Sequence, residues 1–300
     1  MTLRSFLDSS PLTKPLMSAA RGVYRPLRTT YLRRRFPGGG WLYGSGVPVF
    51  CDFRDPSYAW YDASPPNHVF DEQVLAWLVE HSKGSVFVDV GAHYGFYSAC
   101  IARLVGNRVP RAKLLAFEPQ PENFGCLLKT AEKFAGLEFT PLRMALGDAD
   151  GEVPLYRSPN ADCARTFAYP TSYQSGSTPI RRFDSLVKEL LSSGDRIALI
   201  KVDIDGSEPA FLAGAAATIE RDRPLIFIEF APSVLPGAGV DPKKYYRSLS
   251  QQFHTYWVMW ESRSVRPVGP NDYEEIAAHV GDAVSDLVLS LQPLVFPEFS

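Results

Sequence analysis

The stretch SVFVDVGAHYGFYSACIARL, residues 85–104, constrains the fold of this 300-residue chain more than any other. An apolar run ends at Asp89, glycines follow at 91 and 95, and small and apolar residues then recur at helical spacing. A continuous apolar run is the mark of a strand buried on both faces, so strand, glycine turn and helix in that order open a parallel βα unit. The pattern recurs along the chain. A helix DEQVLAWLVEHS precedes it, and strand KLLAFEP, helix PENFGCLLKTAEKF and a third strand in LEFTPLRMAL follow. Beyond these come FDSLVKELLSS (helix), RIALIKVDI (strand), SEPAFLAGAAATIERD (helix) and PLIFIEF (strand). Last are DPKKYYRSLSQQF (helix), TYWVMW (strand), NDYEEIAAHV (short helix) and SDLVLSL (strand). This order predicts an α/β, Rossmann-like, doubly wound mixed sheet of seven principal strands covered on both faces.

Two segments fall outside that alternation. In GDADGEVPLYRS, Asp150-Gly151 predicts a turn into a short extra strand. Residues 159–179, rich in Ser, Thr, Pro, Tyr and Gly without periodicity, read as a long surface loop of the kind that serves as a lid or binding loop. At the other end, FPGGG breaks the chain at 36–40 and residues 41–53 alternate around Gly44 and Gly46 as a β-hairpin. The expected division is therefore a helical and hairpin extension over 1–70 and a main domain over 71–300.

Composition excludes several functions. A net charge of −2 gives no global basic surface for nucleic acid. Charge is nevertheless uneven: between Ser9 and Cys51 there is no acidic residue, while Lys14, Arg21, Arg25, Arg28, Arg33, Arg34 and Arg35 supply seven positive charges. With Leu12, Leu16, Ala20, Val23, Leu27 and Tyr31 spaced by three or four, this segment reads as a basic amphipathic helix, interrupted at Pro15 and Pro26. Such a helix either packs its apolar stripe on the domain or lies on an anionic membrane surface. No run is long and apolar enough to span a bilayer, and no signal-peptide core is present, so the expected location is cytoplasmic, peripheral at the inner membrane face only if the basic helix takes the second of these roles. Cys51, Cys100, Cys126 and Cys163 form no CxxC pair and read as free thiols. No sequence pattern indicates an oligomeric state.

The glycine turn narrows the ligand. A dinucleotide site needs GxGxxG, whose middle glycine lets the backbone meet a pyrophosphate. Here His93 occupies that place in G-A-H-Y-G, and no GK[ST] follows for a P-loop. A nucleoside ligand without pyrophosphate fits instead: Gly91 permits close approach, Asp89 can meet an amino group, and Glu118, ending the neighbouring strand, can take both ribose hydroxyls. Ligands in open α/β sheets bind at this carboxyl edge. Together these features describe a site for S-adenosylmethionine.

The ordered series FVDVGAHYGFYS, LAFEPQPENF, RMALGDADGEVPLY, RFDSL and IKVDIDGSEPAFLAGAAATIERDRPLIFIEF resembles the FkbM family of S-adenosylmethionine-dependent methyltransferases. The resemblance implies the class I methyltransferase fold with an antiparallel last strand, and O-methylation, often of sugars or polyketide hydroxyls. It implies that Asp89, Gly91, Ala92, His93 and Gly95 form the methionine-side loop. It further places Glu118, Pro119 and Asn123 at the ribose, and Met144, Ala145 and Leu146 along the adenine. The family commonly has Asn where this chain has His93.

Methyl transfer to an alcohol requires alignment and removal of a proton, which calls for a carboxylate or histidine near the fourth strand's end. KVDIDGSE places Asp203, Asp205 and Glu208 there. Asp203 or Asp205 can act as general base, or the two can hold Mg²⁺ against a substrate diol; Glu208 suits helix capping. Lys201 can pair with an acid of this cluster, and Glu229, ending FIEF, can contact substrate or form a structural ion pair. Tyr173, in the 159–179 segment, offers an aromatic face and a hydroxyl to a sugar. The expected activity is O-methylation of a sugar, glycoconjugate or similar small polyhydroxylated metabolite.

Overall fold

The computed structural model describes residues 30–43, 46–54, 66–106, 108–157, 164–281 and 283–299. The expected basic helix lies almost wholly outside the described residues; only 30–35 is seen, as a helical turn. Arg33 ties that turn to the chain beyond the hairpin by donating to the carbonyls of Phe53 and Arg54 at 2.8 Å each. The hairpin itself is present, with β1 (Gly40–Leu42) antiparallel to β2 (Val49–Cys51). Its Val49 and Cys51 are buried in the same core as α1 (Pro66–His81).

Next come β3 (Val86–Val90), α2 (Phe96–Val105), β4 (Lys113–Phe117), α3 (Pro121–Glu132) and β5 (Glu138–Leu142). The chain continues through β6 (Ala145–Gly147), β7 (Gly151–Arg157), β8 (Tyr173–Arg182), α4 (Phe183–Leu190) and β9 (Ile197–Val202). After α5 (Glu208–Gly214), α6 (Ala216–Asp222) and β10 (Leu225–Phe230) it ends in α7 (Pro242–Gln252), β11 (His254–Met259), β12 (Ser264–Val268), α8 (Tyr273–Val280) and β13 (Ser285–Ser290).

The main sheet runs β12-β11-β13-β10-β9-β3-β4-β5, with β13 antiparallel to both neighbours and the central strands parallel. Eight strands stand where seven were expected. The eighth, β12, is a short edge strand whose Pro267 sits opposite Tyr256, a placement edge strands tolerate because one side of the strand needs no ladder partner. Every residue of β3, β9 and β13 is buried. One face packs on α1, α2 and the hairpin; the other packs on α4 to α8.

Two expectations are corrected. Part of the 159–179 segment is strand: β8 pairs parallel with β6 and antiparallel with β7 in a separate three-stranded sheet. The single helix expected over 207–222 is two, α5 and α6, broken at Ala215. Gly214 there lies so close to β6 that a Cβ on it would sit 1.8 Å from the Gly147 carbonyl oxygen.

Candidate active site

The order of strands reverses between β3 and β9, which pair with each other while their next neighbours lie on opposite sides. At that point a cleft opens at the carboxyl edge. Its walls come from the turn after β3 (Val90, Gly91, His93), the end of β4 (Phe117, Glu118, Pro119), Asn123 of α3 and residues 144–146. Ala164, Thr166 and the turn after β9 (Asp203, Ile204, Asp205, Ser207) complete them.

The glycines make this geometry for reasons internal to the protein. Gly91 has φ +81°, and a Cβ on it would lie 1.9 Å from the Asp203 carbonyl oxygen. Its missing side chain therefore lets two turns of the protein meet, and Asp203 N–H donates to the Val90 carbonyl at 3.0 Å beside it. Gly95, at φ +90°, caps α2 in the left-handed conformation and leaves no room for a Cβ beside Leu127. It stands behind the cleft, as does Ala92, whose N–H donates to the Phe117 carbonyl at 2.9 Å. His93 also has positive φ, +52°, a region in which Asn, Asp and His are the enriched non-glycine residues. Asn and His meet this backbone requirement alike, and His93 also lines the cleft.

Glu118 is buried and accepts from the backbone N–H of His93 (2.8 Å) and of Gln120 (2.9 Å). Burial raises its pKa to about 7, against the opposing pull of those two donors. Each oxygen keeps a further acceptor site. Asn123 is 1% exposed with its Oδ1 unpartnered. A buried amide oxygen without a donor is costly in a finished structure and ordinary at the wall of a ligand site. Met144, Ala145 and Leu146 supply an apolar ledge.

Asp89 does not reach the cleft wall. It is buried, accepts from Ser98 Oγ at 2.5 Å, keeps Oδ1 unpartnered, and is raised to about 6 by burial. The acidic cluster after β9 separates into three roles. Glu208 closes its own turn, accepting from the N–H groups of Ile204 (3.0 Å) and Gly206 (2.9 Å). Asp205, at φ +52°, accepts from Arg165 at 3.2 Å. Asp203 accepts from Lys201 Nζ at 2.7 Å through Oδ2. Both aspartates thus carry a cationic partner already, and among the described residues no group of three or more His, Cys, Asp or Glu side chains is arranged around a metal. The donor set does not fit Mg²⁺.

Lys201 is buried behind Asp203 rather than facing the cleft. Glu229, next to last in β10, sits opposite Asp286, and its Oε2 is buried without a partner. Tyr173 is 52% exposed on β8 opposite Arg157 and is not among the cleft residues. Ala164, Thr166, Ile204 and Ser207 were not foreseen. Thr166 and Ser207 share a hydrogen bond of 3.0 Å, and with Arg165–Asp205 it fastens residues 164–166 to the β9 turn. Small and polar residues in an aperiodic stretch carried no signal of that contact.

The profile of the methyltransferase FkbM domain matches residues 89–252, more than half of the chain. The hexuronic acid methyltransferase AglP of Haloferax volcanii is 28% identical over 184 residues, covering 60% of this chain and 68% of AglP. Among solved structures, an FkbM methyltransferase from Methylobacillus flagellatus aligns at TM-score 0.41 and 17% identity over 69% of this chain, which spans 43% of that protein. The O-methyltransferase TomG from Streptomyces achromogenes aligns at TM-score 0.41 and 12% identity, over 74% of this chain and 80% of TomG. On the extent of the family match, with the glycine turn and the β9 turn both inside it, the chain belongs to the FkbM methyltransferase family and is an S-adenosylmethionine-dependent methyltransferase.

Proposed function

We propose that the enzyme methylates a hydroxyl of a sugar or glycoconjugate, with a hexuronic acid, the substrate named for the Haloferax volcanii relative, as the first acceptor to test. The observation that carries this reading is Asp203, a carboxylate at the cleft, at the end of β9 and against the glycine turn. S-adenosylmethionine, when bound, supplies an electrophilic methyl group on a positively charged sulfur. The residues fit it: Glu118 offers acceptor sites for two ribose hydroxyls, Asn123 a buried amide, and residues 144–146 an apolar surface for the adenine. Gly91 and His93, which line the cleft, would take the methionine side, with Asp89 supporting the turn from behind.

With the methyl donor bound, Asp203 would accept the proton that the acceptor hydroxyl loses as it takes the methyl group. Positioning of this kind supplies much of the acceleration, and a general base contributes about 10²- to 10⁴-fold more. Asp205, engaged with Arg165, holds the segment over the cleft. Replacement Asp203→Asn is expected to lower kcat by about 100-fold or more with S-adenosylhomocysteine affinity unchanged by calorimetry. Retention of near-wild-type kcat would remove the base and favour an acceptor that has no proton to lose.

No helix among the described residues is long and apolar enough to cross a membrane. We assign the basic N-terminal segment to peripheral contact with anionic lipid on the cytoplasmic side. Deletion of residues 1–29 should abolish salt-sensitive binding to phosphatidylglycerol vesicles in co-sedimentation, and equal binding by the truncated chain refutes the assignment.

A further inference from the structure

Lys201 is 1% exposed in the middle of the sheet, where a lysine is almost never found unless paired. Its Nζ donates to Asp203 Oδ2 at 2.7 Å and lies 4.3 Å from the centroid of the Tyr97 ring on α2. The ring is itself fixed: Tyr97 Oη donates to Asp71 Oδ2 at 2.9 Å, and Trp260 Nε1 donates to Asp71 Oδ1 at 2.8 Å. Asp89 lies beside Lys201 in register on β3. Asp286 of β13 and Glu229 of β10 complete the charged groups around it. Burial alone would favour the neutral amine, yet Asp203, Asp286 and Asp89 hold its proton affinity above the ordinary lysine value. The ammonium is therefore charged, immobile and bonded to one oxygen of a carboxylate whose side chain is 35% exposed at the cleft.

We propose that Lys201 is the positioning residue for the general base: it holds Oδ2 of Asp203 so that Oδ1 is presented to the acceptor, while Tyr97, anchored by Asp71 and Trp260, holds the lysine. This rests on the reading of Asp203 as base. Orientation matters here because a proton is transferred only within hydrogen-bond reach and alignment. A carboxylate rotating freely on its χ2 would present the correct oxygen for only part of the time.

The test uses the full chain, with methyl β-D-glucuronide and neutral methyl hexosides as acceptors and methyl-labelled S-adenosylmethionine as donor. Lys201→Met is expected to lower kcat at least tenfold with KM for the donor and S-adenosylhomocysteine affinity unchanged, and Lys201→Arg, which keeps a cation, to recover part of that loss. Wild-type kcat in Lys201→Met overturns the proposal. If Lys201→Met fails to fold, the comparison is Asp203→Asn against Lys201→Met/Asp203→Asn, which removes both charges. Residues acting as one unit give no further loss in the double variant, whereas a further tenfold loss places Lys201 in another role and overturns the proposal. An active Asp203→Asn enzyme, or a wild-type enzyme inert towards every acceptor, instead refutes the underlying reading and with it this inference.

Discussion

At the scale of single residues, His93 and Gly91 carry the clearest consequences. A left-handed backbone at His93 predicts that His93→Asn leaves melting temperature and S-adenosylhomocysteine affinity unchanged, while β-branched His93→Val costs about 1–2 kcal/mol in denaturant unfolding. Glu118 yields a pH dependence. Its pKa in the free protein is held up to about 7 by burial, and ribose hydroxyls bond the ionised form, so in the proposed site binding releases a proton below that value. Affinity for S-adenosylhomocysteine is therefore expected to rise from about pH 6 to about pH 8 and to lose that slope in Glu118→Gln, measured by calorimetry. The sequence made Glu118 legible through its place at a strand end. It did not disclose that Gly91 serves a contact with the Asp203 carbonyl, because a pairing of residues 112 positions apart leaves no local pattern. Nor does a strand-end position say which side of the turn a carboxylate takes, and Asp89 lies behind the cleft lining.

Among elements, those with a buried face were readable and those without one were not. The apolar runs of β3, β9 and β13 announced themselves. In β8, by contrast, Tyr173 to Ser177 are all exposed, so neither a continuous run nor alternation marks the strand. β12 is short and contains Pro267, which reads as a break unless its edge position is known. Two helical glycines make a paired prediction. Gly125 in α3 has nothing within 4 Å of where a Cβ would lie, so Gly125→Ala should stabilise by about 0.5–1 kcal/mol. Gly214, against the Gly147 carbonyl, should lose about 1–3 kcal/mol on the same change. Thermal melting of the two variants checks both signs.

For the molecule as a whole, the carboxyl edge is crowded with buried acid. Burial raises Asp71 and Asp89 to about 6 and Glu118 and Glu208 to about 7. For such groups the folded state binds the proton more tightly than the unfolded chain. Their contribution is complete below the ordinary carboxylate range and is lost as pH rises through 6 to 7. Asp195 and Asp222, held low by Lys113 and by Arg221 despite partial burial, act in the opposite sense and withdraw their support as pH falls below the ordinary range. Melting temperature is thus expected to peak near about pH 5 and to decline toward about pH 8. A maximum above pH 7 would contradict the burial of these acids.

The close approach of Gly91 to the Asp203 carbonyl also bears on how such enzymes can diverge. In the proposed site the loop for the methyl donor and the turn for the acceptor interlock through backbone, so neither is a separable module. A transplant of residues 89–95 from a relative should therefore retain activity only when residues 201–207 travel with it, whereas either piece moved alone should yield a folded but poorly active chimera. Changes of acceptor are then expected to be written in the segments outside this lock, such as residues 164–166, whose Arg165 and Thr166 side chains bond to it.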